Sequence, residues 1–177
     1  MSLMRVEEYL LKPKLQQSIS KLLGTCFSQY PSRKTYLSQL PDFRMLWISE
    51  EGTLVGHLAA EHRIMNANGA PVRVFGVADL CVLPEFRKQG IATGLLHAVE
   101  SLGRENRVEF VVLAAADQSW FARRGYQALD GNFKWLMIHE NQSLGIASRR
   151  LSQTIMIKPL GDTPWEPGPV DFLGHIF

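Results

Sequence analysis

The sequence is poor in cysteine and has no long apolar segment. Its two cysteines, Cys26 and Cys81, have no Cys-x-x-Cys motif and no nearby histidine pair, so they predict neither a disulfide framework nor a zinc site. The longest wholly apolar run, Phe110 to Ala116, is far shorter than the ~20 residues that cross a bilayer, and the N-terminus lacks the pattern of a signal peptide. We therefore expect a cytoplasmic protein with no metal and no membrane partner.

A strong excess of one charge is also missing. Lysine and arginine number 19 against 17 aspartate and glutamate, which gives a net charge of +2. A nucleic-acid-binding protein is expected to carry a basic stripe, whereas the basic residues here are scattered apart from short pairs such as Arg87-Lys88. With 46% hydrophobic and 20% charged residues, the composition is typical of a globular protein, and we expect no nucleic-acid partner.

The length of 177 residues predicts one domain with a substantial core. Residues 1–3 precede a second methionine and resemble a cloning remnant, so the expected domain runs over residues 4–177. Its last part, residues 159–177, is rich in proline and glycine and has no periodicity. We expect this tail to fold back on the domain, because apolar residues such as Phe172 and Phe177 would otherwise form an exposed patch.

Hydrophobic periodicity predicts the elements of the first half of the chain. Apolar residues at helical spacing from Leu15 to Phe27 predict a helix that begins at Pro13. Two tight turns, at residues 50–53 and 66–71, predict an antiparallel meander of three strands. The elements expected here are a strand over Arg5–Leu10, the helix from Pro13, a second helix over Ser32–Leu40, and strands over Phe43–Ser49, Leu54–Asn66 and Val72–Val82.

The second half predicts a parallel pair of strands joined by a crossover helix. A helical apolar stripe leads up to Gly103, which is expected to cap that helix. The expected elements are a helix over Ile91–Leu102, strands over Phe110–Ala114, Phe133–His139 and Thr154–Lys158, a short helix over Ser119–Arg124, and a mobile loop over Glu140–Ser152. Together the two halves predict a mixed α/β fold of about seven strands and about four helices.

The segment between the third strand of the meander and the next helix carries the clearest chemical signal. The run Arg87-Lys88-Gln89-Gly90-Ile91-Ala92 places small residues where the first backbone amides of a helix have no partner within the helix. Such amides bind anions, and Gly90 lets an anion approach the main chain closely. The side chains of Arg87 and Lys88 add positive charge, so a pyrophosphate would fit here. The alternative is an ordinary turn glycine before a helix.

This segment and its context resemble the GCN5-related N-acetyltransferases (GNAT). Arg87, Gly90 and Ala92 match the Q/R-x-x-G-x-G/A loop of that family, and Val82 and Pro84 match the end of the strand before it. A later F-x-x-x-G-F/Y motif is matched by Phe121, Gly125 and Tyr126. The resemblance extends from Met4 to Ile138 and includes the order of strands and helices.

The resemblance implies a single GNAT domain that takes acetyl-CoA as its co-substrate. The pyrophosphate would lie on the loop, and the pantetheine would pair like an extra strand with the end of the preceding strand. The residues expected to bind the cofactor are Leu80, Cys81, Val82, Arg87, Lys88, Gln89, Gly90, Ile91 and Ala92.

Acetyl transfer to an amine needs a base for the ammonium, a donor for the oxyanion and a proton for the leaving thiolate. Asp79, near the end of the central strand, is the first candidate for the base, directly or through water, and Glu61 is the second. The alternatives are a buried, hydrogen-bonded Asp79 and a solvent-facing Glu61. Many family members carry a tyrosine that protonates the thiolate where this chain has Phe121, so water or another donor must serve, or turnover is slow.

A finer likeness connects the chain with the aminoglycoside 2'-N-acetyltransferases and the nodulation-factor N-acyltransferases. It rests on the turn at residues 66–71, on Asp79 and on a terminal strand over Thr154–Pro159. The expected reaction is acetyl transfer to a primary amine of a small molecule or amino sugar in a ternary complex. A CoA-binding sensor without turnover, a longer acyl donor and a homodimer remain open.

Overall fold

The structure is a computed structural model and describes residues 1–28 and 30–177. Within these ranges the chain forms eight strands and three α-helices, close to the predicted mixed α/β class. The helices are α1 (Pro13–Cys26), α2 (Ile91–Glu105) and α3 (Gln118–Ala122). The strands are β1 (Ser2–Glu7), β2 (Phe43–Ile48), β3 (Leu54–Ala67), β4 (Ala70–Val82), β5 (Phe110–Ala114), β6 (Gln127–His139), β7 (Gln142–Pro159) and β8 (Val170–Asp171).

The strands form one sheet in the order β1-β2-β3-β4-β5-β7-β6-β8. Strands β1, β2 and β3 pair in antiparallel fashion. The two-residue turn Asn68-Gly69 joins β3 to β4, and both turn residues have left-handed backbones, with φ of 50° and 87°. Strands β4 and β5 are parallel and α2 connects them, which confirms the predicted β-α-β unit.

The described residues divide into two compact units. The first consists of residues 1–61 and 78–101, and the second consists of residues 62–77 and 102–177. In the first unit, the apolar face of α1 packs with Leu46, Leu54 and Cys81. The second unit has its own core, in which Phe110, Phe133 and Phe172 are fully buried. The expectation of one domain over residues 4–177 stays a prediction.

The helix predicted over Ser32–Leu40 is absent from the described residues, which form turns and bends there. The segment is flanked by Pro31 and Pro41, and Arg33 has a left-handed backbone with φ of 62°. A left-handed residue interrupts a right-handed helix, and Leu37 and Leu40, which a helix would place on one face, are both exposed. The serine cap was therefore a misleading signal.

The prediction that Gly103 ends α2 is wrong, because the helix continues to Glu105. A Cβ at position 103 would lie 2.3 Å from Leu160 Cδ1, so the glycine permits close packing within the second unit. The left-handed residue after the helix is Arg107, with φ of 59°. The glycine was therefore assigned to the wrong role.

The segment Glu140–Ser152 is not the predicted mobile loop, because most of it belongs to β7. Strands β6 and β7 form a long antiparallel hairpin, closed by Glu140 and Asn141 with left-handed φ values of 48° and 63°. Residues 142–146 of β7 are exposed next to this turn, so no buried apolar face marks this end of the strand in the sequence.

Segments near both ends of the chain pair in the sheet. Ser2 and Leu3, which the sequence analysis left out of the fold, pair in β1 with Ile48 and Trp47. In the second unit, the short strand β8 pairs with β3 and β6, and Val170 is 3% exposed. None of the helices in the described ranges is long and apolar enough to span a membrane.

Candidate active site

The loop that follows β4 lies entirely in the first unit and leads directly into α2. A 3-10 turn over Pro84–Phe86 comes first, and Lys88 and Gly90 then adopt left-handed backbones with φ of 61° and 82°. The amide of Gly94 donates to the carbonyl of Gly90 at 2.9 Å, which is the first hydrogen bond of the helix. A Cβ built on Gly90 would meet no atom within 4 Å, so the space in front of this residue is open.

Two side chains hold the loop against its own backbone. Arg87 Nε donates to the carbonyl oxygen of Val82 at 3.1 Å, and Gln89 Nε2 donates to the carbonyl oxygen of Glu85 at 3.4 Å. The side chain of Ile91 is buried against Gly56, so only its backbone amide is suited to bind a ligand. Arginine fixes the turn, while residues 87–90 remain exposed to solvent.

Asp79 interrupts the regular backbone of β4. Its φ of 53° is left-handed, which is uncommon for a residue other than glycine. Its Oδ2 accepts a 2.7 Å hydrogen bond from the hydroxyl of Tyr30. Burial raises the pKa of Asp79, while the Tyr30 hydrogen bond and the positive charge of Arg44 oppose that rise. Burial, together with the carboxylate of Asp79, in turn raises the pKa of Tyr30.

The strained backbone of Asp79 is held by His57 on β3. His57 Nδ1 donates to the carbonyl oxygen of Asp79 at 2.9 Å, and His57 Nε2 accepts from Arg44 Nη1 at 2.9 Å. A guanidinium can only donate, so these partners fix His57 as the neutral Nδ1-H tautomer. Burial and the nearby charge of Arg44 lower the pKa of His57 to about 3.

Arg44 is fully buried and carries the charge at the centre of this network. Its Nε donates to Glu8 Oε2 at 2.6 Å, so the buried cation has a carboxylate partner. Its Nη2 has no hydrogen-bond partner among the described residues. The chain Glu8–Arg44–His57 thus ends on the backbone of Asp79 and fixes where the Asp79 side chain can lie.

Glu61, the second candidate for the base, lies in β3 and is partly exposed. Strand alternation places it on the same face of β3 as His57. Asp79, by contrast, has defined hydrogen-bond partners. The Tyr30 hydroxyl donates to its carboxylate, and His57 Nδ1 donates to its carbonyl oxygen. Tyr30, His57 and Arg44 were not recognised as site residues from the sequence. A histidine in the otherwise apolar run from Leu54 to Ala60 was the one available signal.

The two cysteines belong to the same apolar cluster of the first unit, although they are distant in sequence. The thiol of Cys26 donates to the carbonyl oxygen of Val82, the residue after Cys81, at 3.5 Å. Cys81 is 8% exposed and belongs to the core of the first unit. The sequence gave no indication that Cys26 and Cys81 share this cluster.

Phe121, the expected departure from the family pattern, lies in α3 in the second unit. Its ring packs edge to face against Tyr126 and Trp120, with centroid distances of 5.6 Å and 4.9 Å. A phenyl ring has no proton to donate. Trp165 packs edge to face on Phe110 at 5.2 Å and is half-buried, so it belongs to the core of the second unit.

Comparison with known proteins identifies the family. The sequence model described as "Acetyltransferase (GNAT) domain" matches residues 10–129, which is more than half of the chain. A search of curated proteins finds no significant match. The chain therefore belongs to the GNAT acetyltransferase family on the strength of the family model, and the resemblance stated above is confirmed.

Solved structures of the same family share the fold. A GNAT family N-acetyltransferase from Escherichia coli, solved in complex with CoA, superposes with a TM-score of 0.65 at 17% identity over 96% of this chain and 89% of its own. A GNAT family acetyltransferase from Brucella melitensis, solved in complex with acetyl-CoA, superposes with a TM-score of 0.53 at 19% identity, over 72% of this chain and 84% of its own.

A GCN5-related N-acetyltransferase from Anabaena variabilis superposes with a TM-score of 0.58 at 19% identity. That match covers 74% of this chain but only 33% of the Anabaena protein, so this chain spans about a third of that relative. At these identities the three structures show a common fold and nothing finer. The likeness to aminoglycoside and nodulation-factor transferases stays a prediction.

Proposed function

We propose that this protein is an N-acetyltransferase that moves an acetyl group from acetyl-CoA to a primary amine of a small molecule or amino sugar. The observation that carries the proposal is the loop from Arg87 to Ala92. It follows a strand, turns through two left-handed residues and opens a 15-residue helix, with empty space in front of Gly90. Membership of the GNAT family and the CoA and acetyl-CoA bound to two of its structural neighbours support this choice of co-substrate.

In the proposed complex, the backbone amides of residues 88–92 bind the pyrophosphate of acetyl-CoA. Unpaired amides at a helix N-terminus favour negative charge, and Arg87 and Lys88 add their positive charges. The pantetheine pairs like an added strand with the backbone of Leu80, Cys81 and Val82. These assignments follow the family motif, residue by residue.

Asp79 is the proposed base. Its raised pKa makes its carboxylate a better proton acceptor near neutral pH than an ordinary aspartate. The substrate ammonium gives up one proton to Asp79, directly or through water, and the resulting amine attacks the thioester carbonyl carbon. The backbone amide of Val82 is the proposed donor to the oxyanion that forms. When the carbon–sulfur bond breaks, the CoA thiolate leaves and takes up, through water, the second proton that the attacking nitrogen loses as it becomes an amide, since Phe121 cannot supply one.

The test of the reaction is the release of CoA from acetyl-CoA in the presence of a panel of amines. We expect release that depends on the amine, together with an acetylated product detected by mass spectrometry. Parallel reactions with longer acyl-CoA donors identify the acyl group that is transferred. Saturable binding of acetyl-CoA without release, whichever amine is offered, would refute the transferase and support a CoA-binding sensor.

The placement of acetyl-CoA can be tested at Gly90 with a matched control. Gly90→Val should abolish acetyl-CoA binding in calorimetry, because the branched side chain occupies the space of the pyrophosphate. Gly52→Val is the control, since Gly52 has a left-handed φ of 80°, close to the 82° of Gly90, and the same empty surroundings but lies in the turn between β2 and β3. In both variants valine must adopt a left-handed backbone conformation, so the free energy of folding should fall by a similar amount. Equal affinities for the two variants would contradict the placement.

A further inference from the structure

The hydroxyl group of Tyr30 contacts the carboxylate of the proposed base, and the mechanism above gives this hydroxyl no step of its own. Tyr30 follows α1 in the first unit, and its backbone amide donates to the carbonyl oxygen of Phe27 at 3.0 Å. Its ring packs against the apolar cluster beneath α1, while its hydroxyl donates to Asp79 Oδ2 at 2.7 Å. The ring is therefore anchored in apolar surroundings, and its polar end is held at Asp79.

The proposed reaction leaves the departing thiolate without a proton donor from the protein. Phe121, where many family members carry a tyrosine, has no proton to give. Two donors near Asp79 in the first unit are already bound to backbone oxygens. His57 Nδ1 donates to the carbonyl oxygen of Asp79, and the thiol of Cys26 donates to the carbonyl oxygen of Val82. The thiolate therefore needs a donor that is bound to a group taking part in the reaction itself.

The proposed course of acetyl-CoA brings its sulfur to the level of Asp79. With the pyrophosphate on residues 88–92 and the pantetheine paired with residues 80–82, the next step along β4, about 3.3 Å, reaches Asp79. When Asp79 acts directly, the amine nitrogen lies about 3 Å from its carboxylate and about 3–3.5 Å from the carbonyl carbon, which is bonded to the sulfur. A hydroxyl on the same carboxylate is therefore close to the leaving sulfur.

We propose that Tyr30 is the general acid of this reaction and protonates the CoA thiolate. As the carbon–sulfur bond breaks, the Tyr30 hydroxyl gives its proton to the sulfur, and its oxygen takes the proton that Asp79 received from the ammonium. The restored carboxylate accepts the second proton that the nitrogen loses and passes it to solvent. Of the two protons that leave the nitrogen, one is balanced by the new thiol and one enters solvent. The inference rests on the proposed function and replaces its water by a side chain.

Tyr30 acts in this scheme as a relay and does not become a phenolate. Burial and the carboxylate of Asp79 raise the pKa of Tyr30, because a phenolate beside that carboxylate would place two negative charges together. Tyr30 therefore keeps its proton while Asp79 is ionised. Once Asp79 is protonated, its carboxyl group becomes a donor and can pass a proton to the hydroxyl oxygen. The ammonium must consequently lose its first proton before the thiol forms.

The experiment compares Tyr30→Phe with Tyr9→Phe in the single-turnover release of CoA at saturating amine. Each variant loses one phenol hydroxyl, and Tyr9 is 83% exposed, so Tyr9→Phe should keep the wild-type rate. Rates are compared on the plateau of the pH profile, where Asp79 is ionised in every protein and a change in its pKa has no effect. Tyr30→Phe should be slower by about 10²-fold, the lower end for a positioned proton donor, because water can replace the hydroxyl. Its affinity for acetyl-CoA in calorimetry should be unchanged.

A second measurement uses the wild-type protein alone, in mixtures of light and heavy water. The single-turnover rate should follow a bowed curve against the deuterium fraction, because two protons move in one step. A straight line would overturn the relay, and this result decides the question even if Tyr30→Phe folds poorly.

The remaining outcomes separate the acid from the reaction it serves. Equal plateau rates for Tyr30→Phe and Tyr9→Phe, with an active wild type, would overturn the role of Tyr30 and leave the transferase standing. A loss of rate in Tyr126→Phe in place of Tyr30→Phe would assign the proton to another tyrosine and would also overturn it. A wild type that releases no CoA with any amine would overturn the proposed function, and this inference with it.

Discussion

Acid should destabilise this protein through His57, because the folded state holds that imidazole neutral. The ring is enclosed between Arg44 Nη1 and the carbonyl oxygen of Asp79, and protonating it would place two buried cations side by side. Its pKa is lowered from 6.5 to about 3 in the folded state. Between pH 6.5 and pH 3, His57 is protonated in the unfolded chain but neutral in the folded chain. The contribution of His57 to the free energy of unfolding is therefore fully present above pH 6.5 and is lost as the pH falls toward 3.

The magnitude follows from the size of the shift. Each pKa unit corresponds to about 1.4 kcal/mol, so the whole displacement amounts to roughly 5 kcal/mol. Within the window, the free energy of unfolding should change by as much as about 1.4 kcal/mol per pH unit. This is a large fraction of the ~5–15 kcal/mol that stabilises a typical domain.

The assay is urea unfolding followed by tryptophan fluorescence, repeated between pH 4 and pH 7.5. His57→Gln keeps a donor for Asp79 and an acceptor for Arg44 but does not titrate, so its unfolding free energy should fall less steeply with acid than that of the wild type. The difference between the two curves cancels other groups, including Asp79, whose raised pKa acts in the opposite direction. His62→Gln, at an exposed position on the same strand, is the matched control for the replacement of a histidine by glutamine. Identical slopes for wild type and His57→Gln would refute the reasoning.

Three further variants test the site and the core. Asp79→Asn should lower kcat by about 10²–10⁴ with little change in acetyl-CoA affinity; loss of cofactor binding or of folding would instead assign Asp79 a structural role. Tyr30→Phe removes a hydrogen bond that lowers the pKa of Asp79, so the acidic limb of the kcat/KM profile should move to higher pH, and an unmoved limb would contradict that contact. Phe172→Ala should cost about 3–5 kcal/mol in urea unfolding, because the ring is fully buried in the second unit. A loss below about 1 kcal/mol would show that this part of the tail is not core.

The parts of the fold that the sequence predicted are those with a strong local signal. Pro13 and the apolar stripe of α1 located that helix, and the boundaries of β5 agree at both ends. The loop at Arg87 was recognisable because its residue types, spacing and neighbouring elements all agree. In these segments the residue pattern alone indicates the element that the structure shows, so contacts with distant parts of the chain were not needed to predict it.

The parts that could not be predicted depend on contacts between residues far apart in sequence. Nothing near Tyr30 in the sequence indicates that its hydroxyl donates to the carboxylate of Asp79. The first part of β7 was missed for another reason. Residues 142–146 are all exposed, so no buried apolar face marks this end of the strand, whereas Phe133–His139 of β6 was predicted as a strand.

The outer end of that hairpin has a practical consequence for labelling the protein. Glu140 and Asn141 are exposed, and the backbone bonds that hold β6 to β7 begin only beyond them. Exposed two-residue turns accept added peptide at small entropic cost, since the flanking ladder already holds the two ends together. A short epitope tag inserted between Glu140 and Asn141 should therefore leave the core of the second unit intact, and it would leave the terminal strands β1 and β8 undisturbed.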